Sequence, residues 1–103
     1  MREVFERAAA LVEQGWTQGR SACNSKGDKV RWESAEATCF CMMGALSRAL
    51  WPSIWTTASY STLYTQLRAR LQNVNPFGWN DTAERTQAEV VEFLRMCAAE
   101  SVP

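Results

Sequence analysis

The sequence predicts an all-α fold: a compact four-helix domain around a central buried helix over residues 35–51. Residues 39–51 carry a single charge, at Arg48. A helix that is apolar on every side is buried on several sides. Three other segments place apolar residues at helical spacing with polar residues off the apolar stripe. These two observations indicate three amphipathic helices packed around one hydrophobic helix.

The first helix is expected from about residue 2 to residue 14, and it ends before Gly15, a residue typical of helix C-termini. Its apolar stripe consists of Val4, Phe5, Ala8, Leu11 and Val12. Residues 15–33 form a long loop with two clusters of turn-forming residues. The segments 20–23 and 29–32 flank the second cluster and are candidates for a small β-hairpin.

The central helix has Ser34 as its candidate N-cap, and Pro52 ends it because the residue before a proline avoids the helical region. An irregular apolar link over residues 52–60 follows. The third helix is expected over about residues 61–72, where leucines recur every four residues. Residues 73–81 are rich in helix-breaking residues and are therefore expected to form a loop.

The last helix is expected over about residues 87–99. Thr86 and Glu89 have the spacing of a capping box, in which each side chain accepts a hydrogen bond from the other residue's backbone. Val102 and Pro103 would then form a frayed tail. All 103 residues are expected to belong to one domain.

Composition narrows the function classes. Eleven basic residues balance eleven acidic ones, whereas nucleic-acid binders usually show a basic excess. The N-terminus lacks the apolar stretch of a signal peptide, and no segment reaches the length of a membrane span. We therefore expect a cytoplasmic protein whose cysteines are mostly reduced.

The reactive residues of the sequence argue against the common kinds of catalytic and metal site. Histidine is absent, which removes the commonest general base and metal ligand, and no glycine-rich phosphate loop is present. No cofactor is expected. The four cysteines lack the paired spacing of a zinc site and are interpreted as buried small apolar residues. A disulfide that includes Cys23 and a metal site are the alternatives.

Large aromatic residues provide the candidate binding surface. Trp55, Tyr60, Tyr64 and Arg68 are the predicted partner-binding residues, because tryptophan and tyrosine contribute much of the energy of protein interfaces. The link that contains Trp55 and Tyr60 is either a lid over the core or such a surface.

Two alternative sites use other residues. A small-ligand or enzymatic site would be built from Trp16, Gln18, Trp79, Asn80 and Asp81. In the alternative interpretation, Asn80 and Asp81 close turns on their own backbone, and Trp16 and Trp79 cover the ends of the helix bundle. A weak nucleic-acid contact would be built from three arginines: Arg48, Arg68 and Arg70.

Four blocks of the sequence resemble a family of small uncharacterised proteins of bacteria, notably actinobacteria, and of their phages. The blocks are residues 15–19 (GWTQG), 37–46 (ATCFCMMGAL), 79–81 (WND) and 85–91 (RTQAEVV). Phe40 departs from the family pattern, in which tryptophan is expected there. The resemblance implies a bacterial or phage cytoplasm and names no catalytic residue.

These observations favour a non-enzymatic protein-binding module. By the resemblance, it is for instance a phage-encoded inhibitor or modulator of a host protein, such as a CRISPR component or another defence protein.

Overall fold

A computed structural model describes residues 1–101; the predicted tail, Val102 and Pro103, lies outside the described residues. The elements in chain order are α1 (Arg2–Gln14), β1 (Ala22–Cys23), β2 (Lys29–Val30), β3 (Cys39–Phe40), α2 (Met42–Leu50), α3 (Thr57–Arg70), α4 (Pro76–Asn80) and α5 (Gln87–Glu100). The prediction of a mainly α fold is confirmed, with five helices instead of four and a three-stranded sheet across these residues. In residues 1–101 no helix has both the length and the apolar character needed to span a membrane.

Helix α2 is the buried centre of the fold, as the sequence predicts. Every one of its residues except Arg48 is buried. Helix α1 packs against α2 and α5 through its predicted apolar stripe, in which Leu11 is only partly buried and Ala9 is an additional buried residue. The core therefore lies between α1, α2 and α5.

The predicted extent of the central helix, residues 35–51, is wrong at its N-terminal end. Helix α2 begins at Met42, and its N-cap is Cys41, whose Sγ accepts a hydrogen bond from the Gly44 backbone N at 3.2 Å. Ser34 instead accepts a hydrogen bond from the Glu36 backbone N within a turn. Pro52 follows the end of the helix as expected.

Strand pairing explains why the residues before Met42 are extended. The Phe40 backbone N donates to the Gly15 carbonyl at 3.0 Å, and the Thr17 backbone N donates to the Phe40 carbonyl at 3.1 Å. The Cys41 backbone N donates to the Ser21 carbonyl at 3.0 Å. These long-range bonds outweigh the helical preference of an apolar run, since tertiary contacts routinely override local propensity.

The predicted hairpin is present, and a third strand completes it. Strand β1 pairs antiparallel with β2 and with β3, which gives the order β2-β1-β3. The turn between β1 and β2 is closed by the Asn24 side chain, whose Oδ1 accepts hydrogen bonds from the backbone N of Lys26 and of Asp28. Gly27 has a φ of +84°, a conformation that favours glycine.

A disulfide joins Cys23 of β1 to Cys39 of β3, whereas Cys41 and Cys97 are free and buried. The interpretation of the cysteines as buried thiols therefore applies to Cys41 and Cys97, whereas the alternative of a disulfide that includes Cys23 is confirmed for the other pair. The expectation that the cysteines are mostly reduced is wrong for Cys23 and Cys39. The error follows from the helix boundary, because Cys39 lies on a strand opposite Cys23 and not on a helix.

Two glycines allow close backbone approaches. A Cβ on Gly44 would lie 2.1 Å from the Ser21 carbonyl O, and a Cβ on Gly15 would lie 2.3 Å from the Thr38 carbonyl O. Gly15 has extended backbone with a φ of −172°, so it does not end α1 by a left-handed turn. Both glycines are required by the packing of the chain around α2.

The C-terminal half differs from the prediction in two places. Helix α3 begins at Thr57, four residues earlier than expected, because Thr56 and Ser59 form a capping box. The prediction that residues 73–81 form a loop is wrong, since Pro76–Asn80 is a short helix. Proline is favoured in the first turn of a helix, and Pro76 is the first residue of α4.

Helix α5 confirms the capping box predicted from Thr86 and Glu89. The hydrogen bond from the Thr86 backbone holds the pKa of the Glu89 carboxyl below its usual value.

We predict that Gly44→Ala destabilises the fold by about 1–3 kcal/mol, because the new Cβ collides with backbone that cannot turn away. Gly78→Ala is the matched control: its Cβ would meet Asn75 at an ordinary 4.0 Å, and alanine favours a helix over glycine by about 1 kcal/mol. Urea denaturation of both variants measures the difference. Equal stabilities would contradict the close approach of α2 to Ser21.

We predict that a thiol reagent finds no reactive cysteine in the native protein. Two thiols should react after denaturation without reductant, and four after denaturation with reductant. Burial raises the pKa of the Cys97 thiol to about 11 and also raises that of Cys41, so both resist the reagent until the protein unfolds. Four reactive thiols without reductant would show that Cys23 and Cys39 are not joined.

Candidate functional site

Six aromatic rings form a continuous row on the surface, which we call the aromatic face. Its members, in order of contact, are Trp51, Trp32, Trp55, Tyr60, Tyr64 and Phe77. Neighbouring ring centroids lie 6.0–6.5 Å apart, within the range of favourable aromatic contacts. The row brings together residues from four parts of the chain.

The aromatic face combines ring area that is packed on the core with ring area that is open to solvent. Trp55, Tyr60 and Tyr64 are half-buried and pack against the core. Trp51 and Phe77 are each 40% exposed, and the neighbouring Ile54 is 53% exposed. The link after Pro52 is therefore a lid over the core and also contributes to an exposed apolar surface.

A cleft of about 190 Å³ opens between the aromatic face and helix α2. Four rings line it: Trp32, Trp55, Tyr60 and Phe77. Gly44 and Ser47 of α2 also line it, and no residue in its lining carries a charge.

Two rings of the aromatic face carry a polar group that burial affects: the indole N–H of Trp55 and the hydroxyl of Tyr60. The Trp55 indole Nε1 is buried and has no hydrogen-bond partner among residues 1–101. A buried donor without a partner costs about 1–3 kcal/mol and calls for an explanation. Burial raises the pKa of the Tyr60 hydroxyl, which therefore stays protonated and able to donate at neutral pH.

Trp32 reaches the aromatic face because an arginine of α2 fixes the turn that carries it. The Arg48 guanidinium donates hydrogen bonds to the carbonyls of Trp32 at 2.9 Å and of Ser34 at 2.7 Å. Arg48 is half-buried in this arrangement. Its role within residues 1–101 is thus to hold a loop against α2.

The three arginines of the nucleic-acid alternative have separate partners. Besides Arg48, Arg70 forms an ion pair with Glu100 at the end of α5. Arg68 is exposed on α3 and donates to the Asn73 carbonyl at 3.4 Å. Of the three, Arg68 is the one whose charge is most available to a ligand at the surface.

The residues of the small-ligand alternative do come together, around the fully buried side chain of Asn80. Its Oδ1 accepts hydrogen bonds from Trp16 Nε1 at 2.8 Å and from the Met42 backbone N at 3.1 Å. Its Nδ2 donates to the Thr17 carbonyl at 3.1 Å and to Asp81 Oδ1 at 2.9 Å. All four hydrogen-bonding positions of this amide are thereby occupied.

The other residues of this cluster also direct their side chains to groups of the protein itself. Gln18 Nε2 donates to the carbonyls of Asn80 and Thr82, and Asp81 accepts from the Gly19 backbone N. The Arg85 guanidinium lies 4.0 Å above the Trp79 ring. This geometry fixes α4 to the 15–19 loop and leaves the polar groups engaged with the protein itself.

Sequence reasoning missed three members of the aromatic face: Trp32, Trp51 and Phe77. Phe77 lies in the segment that the sequence predicts as a loop. No local signal links them to Trp55, because their contacts depend on the turn held by Arg48 and on helix α4.

We predict that Asn80→Ala destabilises the protein by about 2–3 kcal/mol, because Trp16 and Met42 lose the acceptor of their N–H groups. Asn80→Asp keeps the acceptor but places a second carboxylate beside Asp81, so its penalty should be larger at pH 7 than at pH 4. Chemical denaturation at both pH values measures these differences. Unchanged stability of Asn80→Ala would favour the ligand-site alternative.

Comparisons with known proteins give a family and no function. No curated protein and no solved structure matches the chain significantly. A family model described as a family of unknown function, DUF6197, matches residues 1–100. The match covers nearly the whole chain, so the protein belongs to this family of unknown function.

Proposed function

We propose that the protein is a non-enzymatic binding module that docks on another protein through its aromatic face. The observation that carries the proposal is the row of six neighbouring rings, whose two ends, Trp51 and Phe77, are exposed, as is Ile54, the residue before Trp55. Clusters of tryptophan and tyrosine with one exposed side are typical centres of protein interfaces. Three of the four predicted partner-binding residues, Trp55, Tyr60 and Tyr64, belong to this row.

The distribution of charge along the chain also supports the aromatic face as the binding surface. Residues 37–80 contain three arginines and no acidic residue, although the whole chain is neutral. Arg48 and Arg70 are partly buried with internal partners, whereas Arg68 is exposed and donates only to the Asn73 carbonyl at 3.4 Å. Arg68 is therefore the positive charge that α3 presents to solvent, one helical turn from Tyr64 of the aromatic face. Interface centres are depleted in charged residues, a feature that this surface shares.

The reactive groups support binding over catalysis. The chain contains no histidine. Its two free thiols, Cys41 and Cys97, are buried, and burial raises the pKa of both, whereas a nucleophilic cysteine needs a lowered pKa and access to substrate.

The resemblance to bacterial and phage proteins supports a bacterial cell as the place where the protein acts. The partner is then a host protein, for instance a defence component, and the encounter takes place in a bacterial cytoplasm. The resemblance is the support for this part of the proposal, and the aromatic face is the support for binding itself.

We predict that Ile54→Ser combined with Phe77→Ser lowers the amount of partner captured from an actinobacterial lysate by about tenfold or more. Both side chains are substantially exposed, so the double variant should unfold at nearly the same denaturant concentration as the natural protein. Quantitative mass spectrometry of the captured proteins measures the loss.

Met96→Ser is the matched control, because Met96 is 44% exposed on α5, a helix that contributes no ring to the aromatic face. This variant should capture the same proteins as the natural chain. The proposal is wrong if the double variant and the control capture equal amounts.

A further inference from the structure

We propose that the Cys23–Cys39 disulfide is a redox switch of the aromatic face. In the oxidised chain the bond holds Trp32 in the row of rings, and a dithiol that reduces the bond releases it. The inference rests on the proposed function and adds a means of regulating that surface. It is carried by the position of the bond, because the disulfide closes the segment 24–38, which supplies Trp32 to the row.

The segment 24–38 has little burial to keep it in place. Every residue of this segment is described, and none of them is buried. Val30, Trp32 and Ala37 are partly buried and pack against the core. Segments with few buried apolar contacts open locally at a lower free-energy cost than the whole protein. The restraints at the base of the segment are therefore important for its order.

The disulfide is the covalent restraint at that base. Cys23 lies opposite Cys39 in the pairing of β1 with β3, and the Thr38 backbone N donates to the Cys23 carbonyl at 2.9 Å. Both strands are only two residues long. A disulfide limits the conformations that the enclosed chain can reach when it opens, so its removal makes the open state more favourable.

Opening of the segment changes the aromatic face directly. The Trp32 ring centroid lies 6.5 Å from that of Trp51 and 6.0 Å from that of Trp55, so Trp32 is the ring that joins Trp51 to the rest of the row. When the segment opens, this link is lost. The Arg48 guanidinium also loses its two acceptors, the carbonyls of Trp32 and Ser34.

The helical core has supports that do not include the disulfide. Helix α1 packs against α2 and α5, outside the enclosed segment. The N-terminus of α2 is bonded by the sulfur of Cys41, a free cysteine, and by the side chain of Asn80. Reduction is therefore expected to open the segment 24–38 while the helices stay folded.

Reduction proceeds by two thiol–disulfide exchanges. Cys39 is only partly buried, so a thiolate of the dithiol can attack its Sγ; the S–S bond breaks, and Cys23 leaves as a thiolate that takes up a proton. The second thiolate of the reductant then attacks the reductant's own sulfur in the mixed disulfide and releases Cys39, which is also protonated. The chain gains two electrons and two protons, and the dithiol becomes a disulfide.

The test is hydrogen exchange of the full chain, followed by mass spectrometry, with and without dithiothreitol. The hydrogen-bonded amides of Asn24, Ser34 and Thr38 should exchange about tenfold faster or more after reduction, whereas those of α5 should change little. By NMR, the indole N–H signal of Trp32 should move, and that of Trp16, which is bonded to Asn80, should not. Unchanged exchange in the segment would overturn the inference. Equally accelerated exchange in α5 would also overturn it, because the bond would then support the whole fold.

Two variants assign the effect to this disulfide. Cys23→Ser combined with Cys39→Ser should exchange like the reduced natural chain and should not respond to dithiothreitol. Cys41→Ser is the matched control, because serine is also a favoured N-cap and Cys41 is outside the disulfide, so this variant should respond as the natural chain does. A response of the double variant to dithiothreitol would contradict the assignment.

Partner capture separates the inference from the proposed function. The variant with Cys23→Ser and Cys39→Ser should capture about fivefold less partner than the oxidised natural chain, since Trp32 leaves the binding surface. If its capture is unchanged while Ile54→Ser with Phe77→Ser still loses the partner, the switch is wrong and the docking surface stands. If neither variant loses the partner, both are wrong.

Discussion

The structure depends on how the buried amide of Asn80 joins three distant segments of the chain. Its two acceptor bonds hold Trp16 and the first backbone N–H of α2, and its donor bonds hold Thr17 and Asp81. Helix N-termini leave backbone N–H groups without internal partners, and a buried one must find an acceptor elsewhere. Asn80 supplies that acceptor and so fixes α4 against α2.

That constraint has consequences further along α2, at Gly44 and Arg48. With α2 fixed at its N-terminus, Gly44 allows the strand-forming segment at Ser21 to lie directly against the helix. Arg48, one turn further along, holds the turn that carries Trp32. The aromatic face therefore depends on a helix whose own residues are almost all buried.

The disulfide serves the same part of the molecule. Cys23 and Cys39 join β1 to β3, strands of two residues each that would be marginal without other support. The sheet in turn positions Cys41, whose sulfur caps α2. Covalent, strand and capping interactions thus meet at the start of the central helix, and Gly44 and Ser47 of the same helix line the cleft beside the aromatic face.

The sequence by itself determined the elements whose signals are local. Periodic apolar residues define α1 and α5, the capping box fixes the start of α5, and turn-forming residues place the hairpin, because each of these features depends on neighbours within a few positions. Tertiary structure alone decided that residues 39–40 form a strand, that Cys23 pairs with Cys39, and that Trp32 and Phe77 join the aromatic face. These outcomes rest on contacts between residues far apart in the chain, whose free energy exceeds local conformational preference and leaves no trace in the spacing of the sequence.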